Sequence, residues 1–266
     1  MLKIPCNRND IEIYVLSAGH YFADAGAAMG VLPYKLWGDK IELDPSRRIK
    51  LELNCLFVKT KKHNIVVDCG IGDFVTEKQI KIYQPSRFTL LDELSSIGIK
   101  ASQIDMLVLT HLHFDHAGGV LSQDKELVFK NAKHVIQIDE WETALNPDSL
   151  NMAAYHIAEH YKIMERSGVL CLVEGENELS EGVFVEKTLG HCPGMQIVKI
   201  KDKDSLIYFC SDAFPLQFHL TPSITSAYDI SRKDLHKNKE KILKNLKTYG
   251  GKLIFSHEIE KKVCVY

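Results

Sequence analysis

The sequence predicts an α/β protein whose strands lie buried between layers of helix. Three observations lead there. Short apolar strand segments recur along the whole chain with helical segments interspersed, one of them alternates strictly between apolar and polar residues, and 266 residues without a visible linker suit one large layered domain. Hydrophobic residues make up 45% of the chain and charged residues 26%, with 16 Gly and 8 Pro. That composition excludes collagen, long disorder and coiled coil.

Taken in order, IEIYVLS (11–17) is the opening strand, and the Gly/Ala-rich AGHYFADAGAAMG after it reads as a loop. From Ile49 to Cys55 the chain alternates, with Ile49, Leu51, Leu53 and Cys55 on one face and Lys50, Glu52 and Asn54 on the other. NIVVDCG is the next strand, after the polar turn TKKHN. Leu90, Leu91, Leu94 and Ile97 recur at helical spacing and Gly98 supplies a stop. MLVLT (106–110) and HVIQI (134–138) read as buried strands, and a helical insertion is expected from about 140 to 166, ended by Gly168. Strands follow near 169–173, 183–189, 195–200 and 206–211, then a Lys-rich helix near 232–249 and a last strand, LIFSH.

Charge and cysteine usage narrow the setting. With 33 basic against 35 acidic residues the formal net charge is −2, which leaves out the basic excess of a dedicated nucleic-acid binder. Seven cysteines, Cys6, Cys55, Cys69, Cys171, Cys192, Cys210 and Cys264, form no CxxC pair and are odd in number. They point to free thiols in a reducing cytoplasm. MLKIPCNRND has no apolar signal core, and no apolar run approaches the roughly 18 residues that a membrane span needs. A homodimer is one assembly to be considered.

The chemistry concentrates in Thr110-His111-Leu112-His113-Phe114-Asp115-His116-Ala117-Gly118-Gly119, directly after MLVLT. Three histidines and one aspartate within six residues are a metal-ligand set, because imidazole nitrogen and carboxylate oxygen are what zinc takes at about 2.0–2.2 Å. A loop leaving a strand end can aim all four into one crevice.

This H-x-H-x-D-H pattern resembles the signature of the metallo-β-lactamase superfamily, which implies an αββα sandwich with its metal site along one edge of the two sheets. Further candidates occur in the expected order: His191 in TLGHCPG, Asp212 in YFCSDAF and His257 in LIFSHE. VDCGIG (67–72) resembles the family's strand and turn, with Asp68 supporting a ligand. The resemblance implies one metal on His111, His113 and His191, a second on Asp115, His116 and His257, and Asp212 bridging them. It implies two zinc ions (Mn, Fe or Co being alternatives) and a bridging hydroxide as nucleophile, with Asp115 and Asp212 in catalytic roles. Histidine rather than glutamate at His113 favours hydrolysis over diiron redox chemistry.

HLHFDHAGG is similar to N-acyl homoserine lactonases, whereas the stretch that begins at Asp212 and runs through Asp229 is closer to the quorum-quenching lactonase and methyl parathion hydrolase branch. Where other lactonases place a tyrosine three residues after the bridging aspartate, this chain has Pro215. His219 and Tyr228 are the candidates to hold the carbonyl or phosphoryl oxygen, with packing or turn roles equally open. Met195 stands where many relatives have a second histidine. The chain stops nine residues after His257, which weakens a glyoxalase II reading with its helical glutathione domain.

Two motifs compete. His156-Ile157-Ala158-Glu159-His160 matches H-x-x-E-H, the inverted zincin pattern, but explains none of the ligands at the strand ends. The preferred reading puts His156 and His160 on one face of the inserted helix, with Met152, Tyr155 and Met164 nearby, as a lid or pocket wall that includes Trp141, with a dimer contact or a plain core helix equally open. The lysines between Lys233 and Lys252 raise a phosphate-binding patch, but Ile242, Leu243 and Leu246 mark a buried face with solvated lysines opposite. The expected function is a dinuclear zinc hydrolase of a small lactone or ester. Organophosphate or phosphodiester hydrolysis, and a metal-binding regulatory module, are the alternatives.

Overall fold

The computed structural model describes residues 1–149 and 152–266. Strands β1 (Leu2–Ile4), β2 (Glu12–Asp24), β3 (Arg48–Lys59), β4 (Asn64–Val67), β5 (Met106–Val108), β6 (Lys133–Gln137) and β7 (Leu170–Val173) pair in chain order into one sheet. The second sheet has the order β13 (Val263–Val265), β12 (Gly251–Ile254), β11 (Ser205–Phe209), β10 (Gln196–Asp202), β9 (Val183–Lys187), β8 (Glu176–Ser180). From β4 to β7 the strands are parallel, so their C-terminal ends share one edge.

Three apolar layers make this an αββα sandwich. Ile13, Val15, Leu56, Val58, Val67, Val108, Val198 and Phe209 meet between the sheets. The other face of the first sheet, with Leu51, Leu53, Cys55 and Phe57, is covered by α1 (Ala25–Met29), α3 (Leu90–Ser96), α4 (Phe114–Ala117) and α5 (Ile138–Leu145). The outer face of the second sheet carries α7 (Arg232–Tyr249), which buries Leu235, Ile242, Leu243 and Leu246 against Ile197, Tyr208, Leu253 and Phe255. At roughly 1.5–3 kcal/mol for each fully buried aliphatic side chain, this face outweighs the low apolar content of a helix rich in lysine.

The Gly/Ala-rich stretch is not a loop. β2 continues through it to Asp24 and α1 follows, with Ala18, Tyr21, Ala23, Ala25, Ala28 and Met29 buried. The residues are small because neighbours come close: a Cβ on Gly70 would lie 2.6 Å from the Ala18 Cβ. A bulge between Ser17 and His20 lets β2 follow the curve of β3.

The expected helix over 140–166 is broken, and residues 150 and 151 of it lie outside the described residues. α5 ends at Leu145 because Asn146 precedes Pro147, which cannot continue the ladder. The chain resumes as a 3₁₀ turn at Ala158–Tyr161 and then α6 (Lys162–Arg166). Three short strands, β1, β8 and β13, and the helix α2 (Glu77–Tyr83), opened by a Thr76/Gln79 capping box, were not foreseen. Among the described residues no helix is long and apolar enough to cross a membrane.

Candidate metal centre

Four chain segments leave the strands at one edge and converge. After β5 come His111 and His113, then α4 with Asp115 and His116. After β9 comes His191, after β11 Asp212, and after β12 His257. Close backbone approach fixes the first segment: a Cβ on Gly118 would fall 2.2 Å from Ile71 O, and one on Gly119 2.2 Å from Cys69 O. The VDCGIG turn therefore seats the histidine loop. Beneath the site Thr110 Oγ1 and Ser211 Oγ, one from each sheet, are 2.8 Å apart.

Three groups of side chains each place their donor atoms within 4.8 Å of one another: His111, His113 and His191; His111, His116 and Asp212; Asp115, His116 and His257. Asp212 belongs to the second of these and lies between members of the first and the last. Its Oδ1 lies 3.2 Å from Nε2 of both His116 and His257, and its Oδ2 lies 3.5 Å from His191 Nε2.

The outward ring nitrogens of four of the five histidines are occupied, whereas His113 Nε2 is buried without a partner. His116 Nδ1 donates to Asp68 Oδ2 at 2.9 Å, His191 Nδ1 to Asp229 Oδ1 at 2.8 Å, and His257 Nδ1 to Glu52 O at 2.8 Å. Thr110 donates to Asp68 and receives His111 Nδ1 at 3.1 Å. Such bonds fix the tautomer so that Nε2 presents a lone pair inward. Nε2 of His111, His116 and His257 is buried and makes no hydrogen bond. Buried polar atoms left so are costly unless a ligand satisfies them, and the His191 Nε2 to His113 Nδ1 separation of 3.2 Å matches the roughly 3.3 Å edge of a tetrahedron with bonds of about 2.0 Å. The residues therefore fit metal ions.

Electrostatics divide the rings. Burial, with the neighbouring rings of His116, His113 and His191, pushes His111 well below the ordinary histidine range, and burial with His191 does the same to His113. Burial opposes a charge on His116 too, yet Asp212, Asp115 and Asp68 hold it well above that range. Against its own burial, Asp212 is held well below the usual carboxylate range by His116, His257 and His191.

A cavity of about 370 Å³ opens over this centre, lined by Tyr21, Tyr83, Phe114, Leu216, Tyr228 and Ile230 among others. His219 and Tyr228 both reach its wall. His219 cannot serve as the oxyanion donor: its Nε2 donates to Ala28 O at 3.2 Å, and burial lowers its pKa to about 4, so Nδ1 is a bare acceptor. Tyr228 remains half-exposed. Trp141 is not among the lining residues and lies in the core, and Tyr155 stands behind His113 at 4.8 Å between ring centres, whereas Ala153 and Ala154 form the wall.

His156 and His160 form no joint site. Both are exposed, the first bonding Ala153 O and the second packing on Phe74, because the segment is a broken turn and not one helix. Lys239 departs from the solvated lysine face of α7: it is fully buried, with Nζ donating to Ile224 O at 2.7 Å.

Two side chains that bond candidate ligands went unread in the sequence. Tyr21 OH donates to Asp115 Oδ2 at 2.7 Å, hidden because its stretch looked like a loop. Asp229 orients His191 from 38 residues away along the chain, and nothing local signals that.

A profile of the metallo-beta-lactamase superfamily matches residues 51–255. N-acyl homoserine lactonase from Bacillus thuringiensis is 28% identical over 175 residues, covering 61% of this chain and 64% of that protein, so the chain spans about 64% of that relative's length. The N-acyl homoserine lactonase of Bacillus cereus is 25% identical over 236 residues, 83% of this chain and 86% of its own. A crystal structure from Staphylococcus aureus, described as a "probable metal-dependent hydrolase", has a TM-score of 0.91 at 26% identity, over 99% of this chain and 94% of that one. AidC, a dizinc quorum-quenching lactonase, shares the fold with a TM-score of 0.79 at 22% identity, over 99% and 92%. With well over half of its length matched by that profile and the seven side chains gathered at one sheet edge, the chain belongs to the metallo-β-lactamase superfamily.

Proposed function

We propose that the chain is a metal-dependent hydrolase that opens lactones or cleaves esters, with two zinc ions in the His/Asp centre and N-acyl homoserine lactones as the leading substrate class. The observation that carries this reading is the division of Asp212, whose two oxygens face different histidine groups. His111, His113 and His191 would hold one ion and Asp115, His116 and His257 the other, with Asp212 common to both. When bound, such a pair of cations supplies Lewis acidity and brings the pKa of water toward about 7.

The chain's own residues supply the rest. Asp115, steadied by the Tyr21 hydroxyl, orients the attacking water and accepts its proton. Tyr228 donates to the developing oxyanion in place of the tyrosine that Pro215 displaces. Ala28, Leu51, Leu216 and Ile230 receive an acyl group and exclude water. No lysine or arginine occurs among the described lining residues, which disfavours a polyanionic substrate. The lactonase relatives support the substrate class, and AidC is seen with a product, N-hexanoyl-L-homoserine.

Elemental analysis of zinc-reconstituted protein should give about two metals per chain, and Asp212→Asn should lose the second metal and activity together. A stable value near one under excess zinc would end the dinuclear part of the proposal. Across a panel of lactones, aryl esters, thioesters and phosphoesters, neutral lactones or aryl esters should turn over fastest. Tyr228→Phe should lower kcat by about ten- to a thousandfold with metal retained. Efficient, salt-sensitive RNA cleavage with no lactone or ester turnover would assign the chain to the phosphodiester branch instead.

A further inference from the structure

Glu140 lies in the first turn of α5, outside the proposed ligand set, and is fully buried. A buried carboxylate is acceptor-only and needs its oxygens filled. Here three donors do so. Oε1 accepts from the Leu112 backbone N–H and from the Tyr155 hydroxyl, each at 2.8 Å, and Oε2 accepts from the Cys192 thiol at 3.0 Å.

What the donors have in common is their neighbours. Leu112 separates His111 from His113, Cys192 follows His191, and the Tyr155 ring rests against the His113 ring. Gly194 brings the His191 loop directly onto this turn, since a Cβ there would fall 2.1 Å from Glu140 N. The backbone on both sides of the three-histidine cluster is thus tied to one carboxylate, from two different sheets.

We propose that Glu140 is the positioning residue of the three-histidine cluster, clamping the His111–His113 loop, the His191 loop and Tyr155 so that three ring nitrogens stay at metal-ligand spacing. The proposal rests on the reading of that cluster as a metal site. The second group, Asp115, His116 and His257, is held by Asp68, Tyr21 and Glu52 O and should not depend on Glu140.

The test measures zinc affinity by chelator competition in two backgrounds. His257→Ala leaves the three-histidine cluster intact, and His113→Ala leaves the other group. In the first, Glu140→Leu should weaken zinc binding by about 10- to 100-fold, the usual effect of removing a group that orients ligands; in the second, the change should stay within about threefold. Glu140→Gln should restore most of the affinity, because its amide oxygen can still accept from Leu112 and Tyr155 while its NH₂ donates to the Cys192 sulfur. Where Glu140→Leu does not fold, Tyr155→Phe, which removes one hydroxyl, should weaken the three-histidine cluster alone by a few-fold. A metal-free readout accompanies these: the Leu112 amide should exchange faster with solvent in Glu140→Leu than in the unsubstituted protein. Unchanged zinc affinity in a folded Glu140→Leu variant, or an equal loss in both backgrounds, overturns the proposal. If the unsubstituted protein takes up no zinc, the reading of the cluster fails, and Leu112 exchange decides the clamp by itself.

Discussion

At the residue scale the centre is governed by which nitrogen each imidazole turns inward. Asp68, Asp229, Glu52 O and Thr110 each occupy an outward Nδ1, and on His111, His116 and His257 that leaves a buried Nε2 without a hydrogen bond. Tyr21 bonds the other kind of candidate ligand. Its hydroxyl bonds Asp115 Oδ2, the oxygen nearest His116 Nε2 at 3.8 Å and His257 Nε2 at 3.9 Å. Tyr21→Phe removes one oxygen and leaves the ring's packing on Tyr83 and Phe114 in place. Metal affinity of the Asp115 group should drop about tenfold and kcat should drop with it, while the three-histidine cluster binds as before. Equal affinity of the Asp115 group in variant and parent would show that Tyr21 only packs.

At the element scale, α7 does more than cover the second sheet. Lys239 Nζ holds Ile224 O, and Arg232 Nε holds Thr225 Oγ1 at 3.1 Å. Those two bonds anchor the segment that carries Tyr228 to the cavity and Asp229 to His191. Burial lowers the Lys239 pKa to about 8 against 10.5 for the unperturbed side chain. Between those values the unfolded chain binds the extra proton, so unfolding free energy rises with pH across that window. From pH 7.5 to 10 this lysine should contribute a gain of about 2 kcal/mol. Buried tyrosines and cysteines with raised pKa values work in the opposite direction, so the contribution is read as a difference. Urea unfolding of the parent minus that of Lys239→Met should show the gain, and parallel pH profiles for the two proteins would refute it.

At the scale of the whole molecule, the candidate ligands come from both halves of the sandwich. His111, His113, Asp115 and His116 follow the first sheet, and His191, Asp212 and His257 follow the second. Ions held between them would bind the folded chain and not the unfolded one, so loading would add stability through mass action. At a free metal concentration of 100 times Kd the gain is about 2.7 kcal/mol per site. Chelation should therefore lower Tm by roughly 5–10 °C for each site emptied, taking about 2–4 °C per kcal/mol for a domain of this size. A Tm that does not respond to chelator in zinc-loaded protein would mean that the ions do not join the two sheets.

The layered fold and the seven candidate ligands were legible in the sequence for physical reasons. Strand and helix periods are local, as in the alternation from Ile49 to Cys55, and four of the donors fall within six residues of the chain. His191, Asp212 and His257 were legible because each follows an apolar strand and fits the order of a recognised pattern. Tertiary structure decided what depends on contacts between distant segments. Tyr21 reaches Asp115 across 94 residues and Asp229 reaches His191 across 38. His219 loses its donor to Ala28 O, 191 residues away. Small residues in and after β2 read as a loop until the Gly70 turn packed against Ala18, and H-x-x-E-H lost its meaning because its residues lie in turns and a short 3₁₀ segment and not in one helix. Hydrophobic periodicity is written residue by residue, but the hydrogen bonds that choose a tautomer, orient a ligand or bury a lysine exist only after the two sheets have closed on each other.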